Sequence, residues 1–270
     1  MDDVGTDEPA ARSAGRHDSH IPLFASVTAL VAVPLMVLAS ALCAVIPGVP
    51  WWMGIPVGLA VAALLVAQRV RGAYGRLLAA LGAVPVDPDE YARYHNIVQG
   101  LSLAASVGEP DLYVVDDPGR NAAAVARGRS TAVVATTGLL AAVDRIALEA
   151  VVAECLVRLG NGDAEAATLG ATLFSPLGSG PLAPVAAMGL GRLLAEDRDL
   201  LADRAAVALT RYPPGLSSAL AAINAGPARV QRAPVHLDHV WLVPPSSLEA
   251  AGDPADTPGL TLRMDVLGEL

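Results

Sequence analysis

The sequence predicts an α+β protein: a mostly helical domain with a small antiparallel sheet, preceded by a transmembrane helical hairpin. Three observations lead there. Of 270 residues, 53% are hydrophobic, 17% charged and 4% aromatic, and the mean hydropathy of +0.48 exceeds that of an ordinary soluble chain. Residues 21–46 and 51–67 carry no charge. Beyond residue 77, stretches of helical periodicity alternate with short β-like runs bounded by turn residues. The length leaves room for one ordinary domain and something smaller.

Residues 1–20 are polar, acidic and aperiodic, which reads as a disordered tail. They lack the basic start of a signal peptide. The two uncharged stretches are each long enough, at about 1.5 Å per residue, to cross a hydrocarbon core of roughly 30 Å, the second with little to spare. Only Pro47-Gly48-Val49-Pro50 joins them, so a hairpin over residues 21–68 is expected, with both ends on one side. Arg12 and Arg16 before it, and Arg69, Arg71 and Arg76 after it, put that side in the cytoplasm. The expected location is the cell (inner) membrane, multi-pass, with a cytosolic domain over 77–270 and the lipid bilayer as a partner. Trp51 and Trp52 fit the interfacial aromatic belt on the far side.

In the domain, Asp87-Pro88-Asp89-Glu90 marks a helix start followed by Tyr91, Tyr94, Ile97, Val98 and Leu101 at helical spacing, ending near Gly108. Strands are expected at 112–115, 121–126 and 131–136, and a further one at 240–243. Helices are expected at 146–159, 193–209, 215–223 and 260–270. Residues 166–191 are uncharged, but Pro176, Pro181 and Pro184 argue against a third span; a loop or broken helical hairpin near the membrane is expected.

Eighteen basic residues, all Arg, against twenty-seven acidic ones give a net charge of −9, which argues against nucleic-acid binding. Without lysine there is no Walker phosphate loop, and Gly178-Ser179-Gly180-Pro181 lacks the context of one, so nucleotide chemistry is unsupported. Cys43 and Cys155 are too few for a disulfide framework and read as free thiols. Among the histidines, His17, His20, His95, His236 and His239, no pair is spaced i, i+4; His236 and His239 read as solvated and His95 as a surface or core-edge residue. No G-x-S-x-G elbow is visible.

Residues 148–163, LEAVVAECLVRLGNGD, resemble the active-site helix of the HtpX-like membrane-anchored zinc metallopeptidases, relatives of the CAAX prenyl proteases, which reads roughly L-E-G-V-L-A-H-E-x-x-H-I-x-N-x-D. Other segments follow in order. Asn121-Ala122 resembles the family's N-A-F strand, residues 133–140 its V-x-x-T-x-G-L-L segment, and 202–206 its A-D-x-x-A helix. His239 to Pro244 resembles H-L-W-x-x-x-P, and Thr257 to Arg263 the terminal H-P-P-L-x-x-R helix. With the hairpin, the resemblance covers nearly the whole chain. It implies a metallopeptidase-like domain and zinc as the family's cofactor.

The resemblance also implies where the chemistry breaks. Glu154 stands at the first zinc ligand, Cys155 at the general base, Arg158 at the second ligand and Asp199 at the third, where the family has His, Glu, His and Glu. Thr257 replaces the terminal His. Arginine offers only donors and cannot ligate a metal. No metal cofactor is therefore expected, and a pseudopeptidase is: a membrane-anchored member of the family that holds unfolded or membrane-protein segments without cleaving them. The implied peptide-binding edge is the strand carrying Thr131, Val133, Ala135 and Thr136, with Asp203 and Asn121 in supporting roles. The alternatives are an active zinc metalloendopeptidase with substitute ligands such as His236, His239 or Cys155, and a structural subunit of a membrane complex. Glu154 and Arg158, spaced i, i+4 with the acid first, are expected to pair, and Asp199 to approach Arg158.

Overall fold

The computed structural model describes residues 21–174, 197–226, 235–250 and 258–270, together with residues 184, 188, 190, 194, 230 and 231. The tail 1–20, Gly178 to Pro181 and Thr257 lie outside the described residues, as does most of 175–196. The chain divides into two compact units, residues 1–71 and 72–270.

In the first unit, α1 (Ile21–Val45) and α2 (Gly54–Arg71) run antiparallel, joined through Gly48 at φ +83 and a short 3-10 turn at Trp51–Met53. Trp51–Arg71 is long and apolar enough to cross a membrane. The pair packs through what α2 lacks. A Cβ on Gly54 would collide with the main chain at Ala39 and Ser40, and one on Gly58 with that of Leu35 and Met36; Ala62 continues the buried stripe. Small residues four apart let two helix backbones approach closely.

The second unit begins at Gly72 rather than at residue 77, because α3 (Ala73–Leu81) buries Leu77, Leu78 and Leu81 in its core. Its sheet has four strands, β1 (Val84–Pro85), β2 (Asp111–Val115), β3 (Ala122–Arg127) and β4 (Ser130–Thr136), in the order β1-β2-β4-β3. The expected antiparallel sheet is therefore a mixed one. The tight turn at Gly128, φ +60, folds β4 back antiparallel to β3, and β4 then lies parallel to β2.

That order corrects the expectation of a peptide-binding edge at Thr131, Val133, Ala135 and Thr136. β4 is an interior strand: Val133, Ala135 and Thr136 are paired to β2 on one side, and the strand lies against β3 on the other. Thr131, paired to Ala126 of β3, accepts at its carbonyl from the Tyr74 hydroxyl, so β4 has no open edge over 132–136 to offer a peptide. The outer edge of β3 is engaged by the chain itself: Leu242 donates to the Ala122 carbonyl at 2.7 Å, and the Ala126 N–H donates to the Thr168 hydroxyl at 3.1 Å.

Both faces of the sheet are covered, which explains why β3 reads AAAVAR without polar alternation. Ala122, Ala124, Ala126, Val133 and Ala135 face one core, built with α4 (Ala92–Ala104), α5 (Thr137–Ala142), α6 (Arg145–Gly160), α8 (Arg198–Thr210), α9 (Pro213–Asn224) and α11 (Pro258–Gly268). Ala123, Val125, Ala132 and Val134 face the other, with α3, α7 (Asp163–Phe174) and Trp241. Of the two forms expected for 166–191, a loop or a broken helical hairpin, the described part is helical: α7 buries Ala166, Ala167, Thr168, Leu169, Ala171 and Phe174 within the second unit. Residues 166–174 lack charge because they lie on a core helix. The expected strand at 240–243 is instead the end of a 3-10 turn (Val235–Val240) and one bridge between Trp241 and Ala123. Helix α10 (Pro245–Ala250) follows it. Helix α4 starts at Ala92 because Asp87 closes a turn first, its carboxylate accepting from Asp89 N at 3.0 Å and its carbonyl from Tyr91 N at 3.1 Å.

Candidate buried ion site

Helix α6 is buried over most of its surface, so the polar side chains that it buries must find partners inside the protein. It starts at Asp144, whose carboxylate accepts from Ala147 N at 2.8 Å as an N-cap. Nearly three turns on, it presents Glu154, and one turn later Arg158, on the side shared with α8 and α11.

Glu154 is fully buried and Arg158 is 4% exposed. Arg158 Nη2 donates to Glu154 Oε1 at 2.6 Å, Nε to the same oxygen at 3.2 Å, and Nη2 also to Asp199 Oδ1 at 3.0 Å. Arg263, from α11, enters from the other side. Its Nη2 lies 3.0 Å from both Glu154 oxygens and 2.6 Å from Asp203 Oδ1, its Nε 2.7 Å from Asp203 Oδ2, and its Nη1 donates to the Leu242 carbonyl at 2.9 Å. Arg198 completes the group, with Nε 3.4 Å from Asp199 Oδ1 and Nη2 donating to the His239 carbonyl at 2.7 Å. Among the described residues, three carboxylates and three guanidiniums thus meet in one cluster that ties α6, α8 and α11 to the segment around Leu242.

The electrostatics follow from burial. It pushes the Glu154 carboxyl up to about 7, and Arg263 and Arg158 pull the other way without cancelling it. Burial opposes the charge on Arg158 and Arg263, but the adjoining carboxylates, Glu154 above all, outweigh it and hold both above their ordinary range. Arg198 is lowered by burial despite Asp199. Cys155 projects into the apolar core, where burial, with Glu154 beside it, pushes the thiol up to about 12. A thiol raised in this way is a poor base at neutral pH.

The structure brings together Glu154, Arg158, Asp199 and Asp203, and it sends Cys155 elsewhere. Asn121 is also fully buried, but it acts on the sheet edge: Nδ2 donates to the Val243 carbonyl at 2.6 Å, and Oδ1 accepts from Ala122 N at 3.0 Å and Val243 N at 3.3 Å. The ring of His239 is engaged by the Ala167 carbonyl at 3.1 Å. The side chain of His236 lies outside the described residues. Sequence reasoning placed Arg263 in a terminal motif without giving it a part in the site, and it missed Arg198. The available signal was the charge count, since Glu154, Asp199 and Asp203 against Arg158 alone leave two carboxylates unmatched.

A zinc ion does not fit these residues. Of the three ligand positions implied by the resemblance, one is a guanidinium that already spans the two carboxylates at the others. Among the described residues, no group of three or more His, Cys, Asp or Glu side chains is placed to hold a metal ion.

Comparison with known proteins agrees with the resemblance. The chain is 33% identical over 193 residues to a protease HtpX homologue of Dictyoglomus turgidum, covering 60% of this chain and 64% of that protein. It is 30% identical over 203 residues to one of Tropheryma whipplei, covering 63% of this chain and 70% of that protein. To one of Streptococcus mutans it is 29% identical over 184 residues, with 53% and 62% covered. The chain thus spans just under two thirds of the first of these relatives. No protein-family model matches the chain, and no solved structure matches it significantly.

Proposed function

The chain belongs to the HtpX protease homologue family, a membrane-associated peptidase family, and from that premise we propose that it is a membrane-anchored member without peptidase activity, one that holds unfolded or membrane-protein segments instead of cutting them. The observation that supports the inactive reading is Arg158 Nη2, placed between Glu154 and Asp199 at 2.6 and 3.0 Å. In a zinc peptidase the metal polarises the scissile carbonyl and lowers the pKa of the attacking water, while a carboxylate takes its proton. A guanidinium has no open coordination position and keeps its protons, and the residue at the general-base position is a thiol held in the core. Among the described residues, the carboxylates at the ligand positions are thus already paired with guanidiniums.

In this reading, α1 and α2 cross the membrane as a hairpin with both ends cytoplasmic. The arginines on either side of it support that orientation, and the small-residue contact between the helices suits packing in lipid, where apolar side chains gain nothing over the surrounding tails. The partner segments are polypeptide, the class on which the relatives named proteases act. The interior position of β4 means that they are held elsewhere than by strand addition there.

The test pairs two measurements on the full chain in detergent. Hydrolysis of an unfolded fluorogenic protein should stay at the level of a blank, with or without added zinc. Capture of that same protein on the immobilised chain should be saturable. Chelator-sensitive cleavage would overturn the inactive reading, and absence of saturable capture would overturn the holding role. A reporter active only outside the cytoplasm, fused after Leu270, should be silent; strong activity there would overturn the topology.

A further inference from the structure

We propose that the Arg158 guanidinium is the resident cation of this fold: it bridges α6 to α8 in the place that the resemblance assigns to a metal ion, so that the helix junction closes without metal. The inference rests on the inactive reading above and goes beyond it. Loss of a metal site explains why catalysis is absent, but it says nothing about what neutralises the carboxylates left behind.

The geometry supplies the replacement. A zinc ion in such a site links two helices by drawing ligands from both. Here one nitrogen, Arg158 Nη2, does so, taking Glu154 Oε1 from its own helix at 2.6 Å and Asp199 Oδ1 from α8 at 3.0 Å. Arginine suits the task because its planar fork also places Nε 3.2 Å from the same Glu154 oxygen, which fixes the side chain's direction. Glu154 is held from its other side by Arg263, itself paired twice to Asp203, so the second guanidinium extends the bridge to α11. Among the described residues, Arg158 reaches α8 through Asp199, whose side chain is 31% exposed, and Glu154 is the carboxylate shared between the two guanidiniums. A simple desolvated ion pair would need one partner. A junction of three helices needs a shared carboxylate and a cation on each side of it.

This distinguishes charge from bulk. A methionine at 158 matches the length and apolar volume of the arginine stem but bridges nothing, whereas a lysine keeps the charge and offers a point donor in place of a fork.

The experiment uses the full chain in detergent with Trp51→Phe and Trp52→Phe, so that buried Trp241 reports unfolding of the second unit. Metal content is measured by elemental analysis before and after chelation. Thermal midpoints are measured for this protein and for Arg158→Met and Arg158→Lys. The expected result is less than one tenth of a zinc per chain, a midpoint unchanged by chelator or added zinc, a loss of at least about 5 °C in Arg158→Met, and a smaller loss in Arg158→Lys. Zinc-free protein in which Arg158→Met matches its parent would overturn the resident-cation proposal and leave the inactive reading standing. One tightly held zinc per chain, with a midpoint that falls on chelation, would overturn both.

Discussion

The helical hairpin and the ion cluster join helices by opposite means. Helices α1 and α2 meet because α2 presents glycine at 54 and 58, so that backbone lies against backbone. Helices α6, α8 and α11 meet through long side chains, with Glu154, Arg158, Asp203 and Arg263 almost wholly withdrawn from water. The first contact fails when something is added and the second when something is removed. The difference also separates stability from specificity. Close packing gains dispersion at every atom, whereas burying charges costs several kcal/mol per ion before any pairing returns it. The cluster is better understood as fixing which helices meet, and in what register, than as a net source of stability.

The largest expected effect comes from removing the charge with the most partners. Arg263→Ala strips Asp203 of both its guanidinium contacts and Glu154 of one of its two partners, leaving carboxylates that are 1% and 0% exposed. Breaking a buried pair on one side typically costs about 3–5 kcal/mol. The variant should unfold at much lower urea than wild type, and a double variant with Asp203→Ala should recover part of the loss. An Arg263→Ala midpoint equal to that of wild type would remove the cluster from any account of the fold.

The sequence made the two regions legible to different degrees. The hairpin was readable in outline from uncharged length and a four-residue link, because two long apolar runs joined so closely leave the chain little choice but to turn back on itself. The helix-packing stripe was not drawn out, since glycine spacing acquires meaning only once the helices are set antiparallel. In the second unit, α6, α9 and α11 and the three longer strands were readable within a few residues, and so was the pairing of Glu154 with Arg158, because i, i+4 spacing is a local property. Arg263 was not assigned, since it reaches Glu154 across 109 residues. For α7 the sequence leaves a loop and a broken helical hairpin both open, because apolar residues on all its faces carry no amphipathic signal. The edge position expected of β4 came from the resemblance, and its own residues could not test it: an apolar run says that a strand is buried, but not which neighbours lie beside it.

Addition is the corresponding test of the hairpin. Gly58→Leu places a branched side chain against the Met36 and Leu35 main chain, which has no rotamer to yield with, and overpacking of this kind costs about 1–3 kcal/mol. Cysteines introduced by Ala32→Cys and Ala62→Cys, in a Cys43→Ser background, should cross-link readily in the parent and slowly in the Gly58→Leu variant. Gly58→Leu should leave the Trp241 unfolding midpoint unchanged. A midpoint that falls as far as in Arg263→Ala would erase the distinction between the two regions.

The cost of burial should also be visible as pH dependence. Burial raises Glu154 from 4.5 to about 7, so the folded state binds its proton more tightly than the unfolded chain does. A raised carboxyl stabilises the fold most below its unfolded pKa, and that contribution is lost as pH rises from about 4.5 to about 7. Glu154→Gln mimics the protonated form at every pH. Titrations of groups remote from Glu154 cancel in the comparison, so the variant should gain on wild type in urea midpoint between pH 5 and pH 7.5. If wild type gains on the variant instead, the two guanidiniums outweigh desolvation, and the cluster is a net source of stability after all.

The smallest effect tests whether burial, and not merely charge on α6, sets these costs. Asp144 stands on the same helix and is also a carboxylate with a defined partner, but it is exposed and accepts from a single N–H, that of Ala147 at 2.8 Å. Water can replace much of what Asp144→Ala removes, because the freed N–H lies at the helix start and the lost carboxylate was already hydrated. N-cap substitutions of this kind cost about 1 kcal/mol, within a usual range of roughly 0.5–2. Asp144→Asn, which keeps the acceptor and loses the charge, should recover most of that, since the residual attraction between a carboxylate and the positive end of the helix is about 0.3–1 kcal/mol and is screened by salt. The two midpoints should therefore bracket a narrow interval close to wild type, well above Arg263→Ala. An Asp144→Ala loss as large as that of Arg263→Ala would mean that α6 itself is marginal, and that the cluster fails with its helix and not through its buried charges.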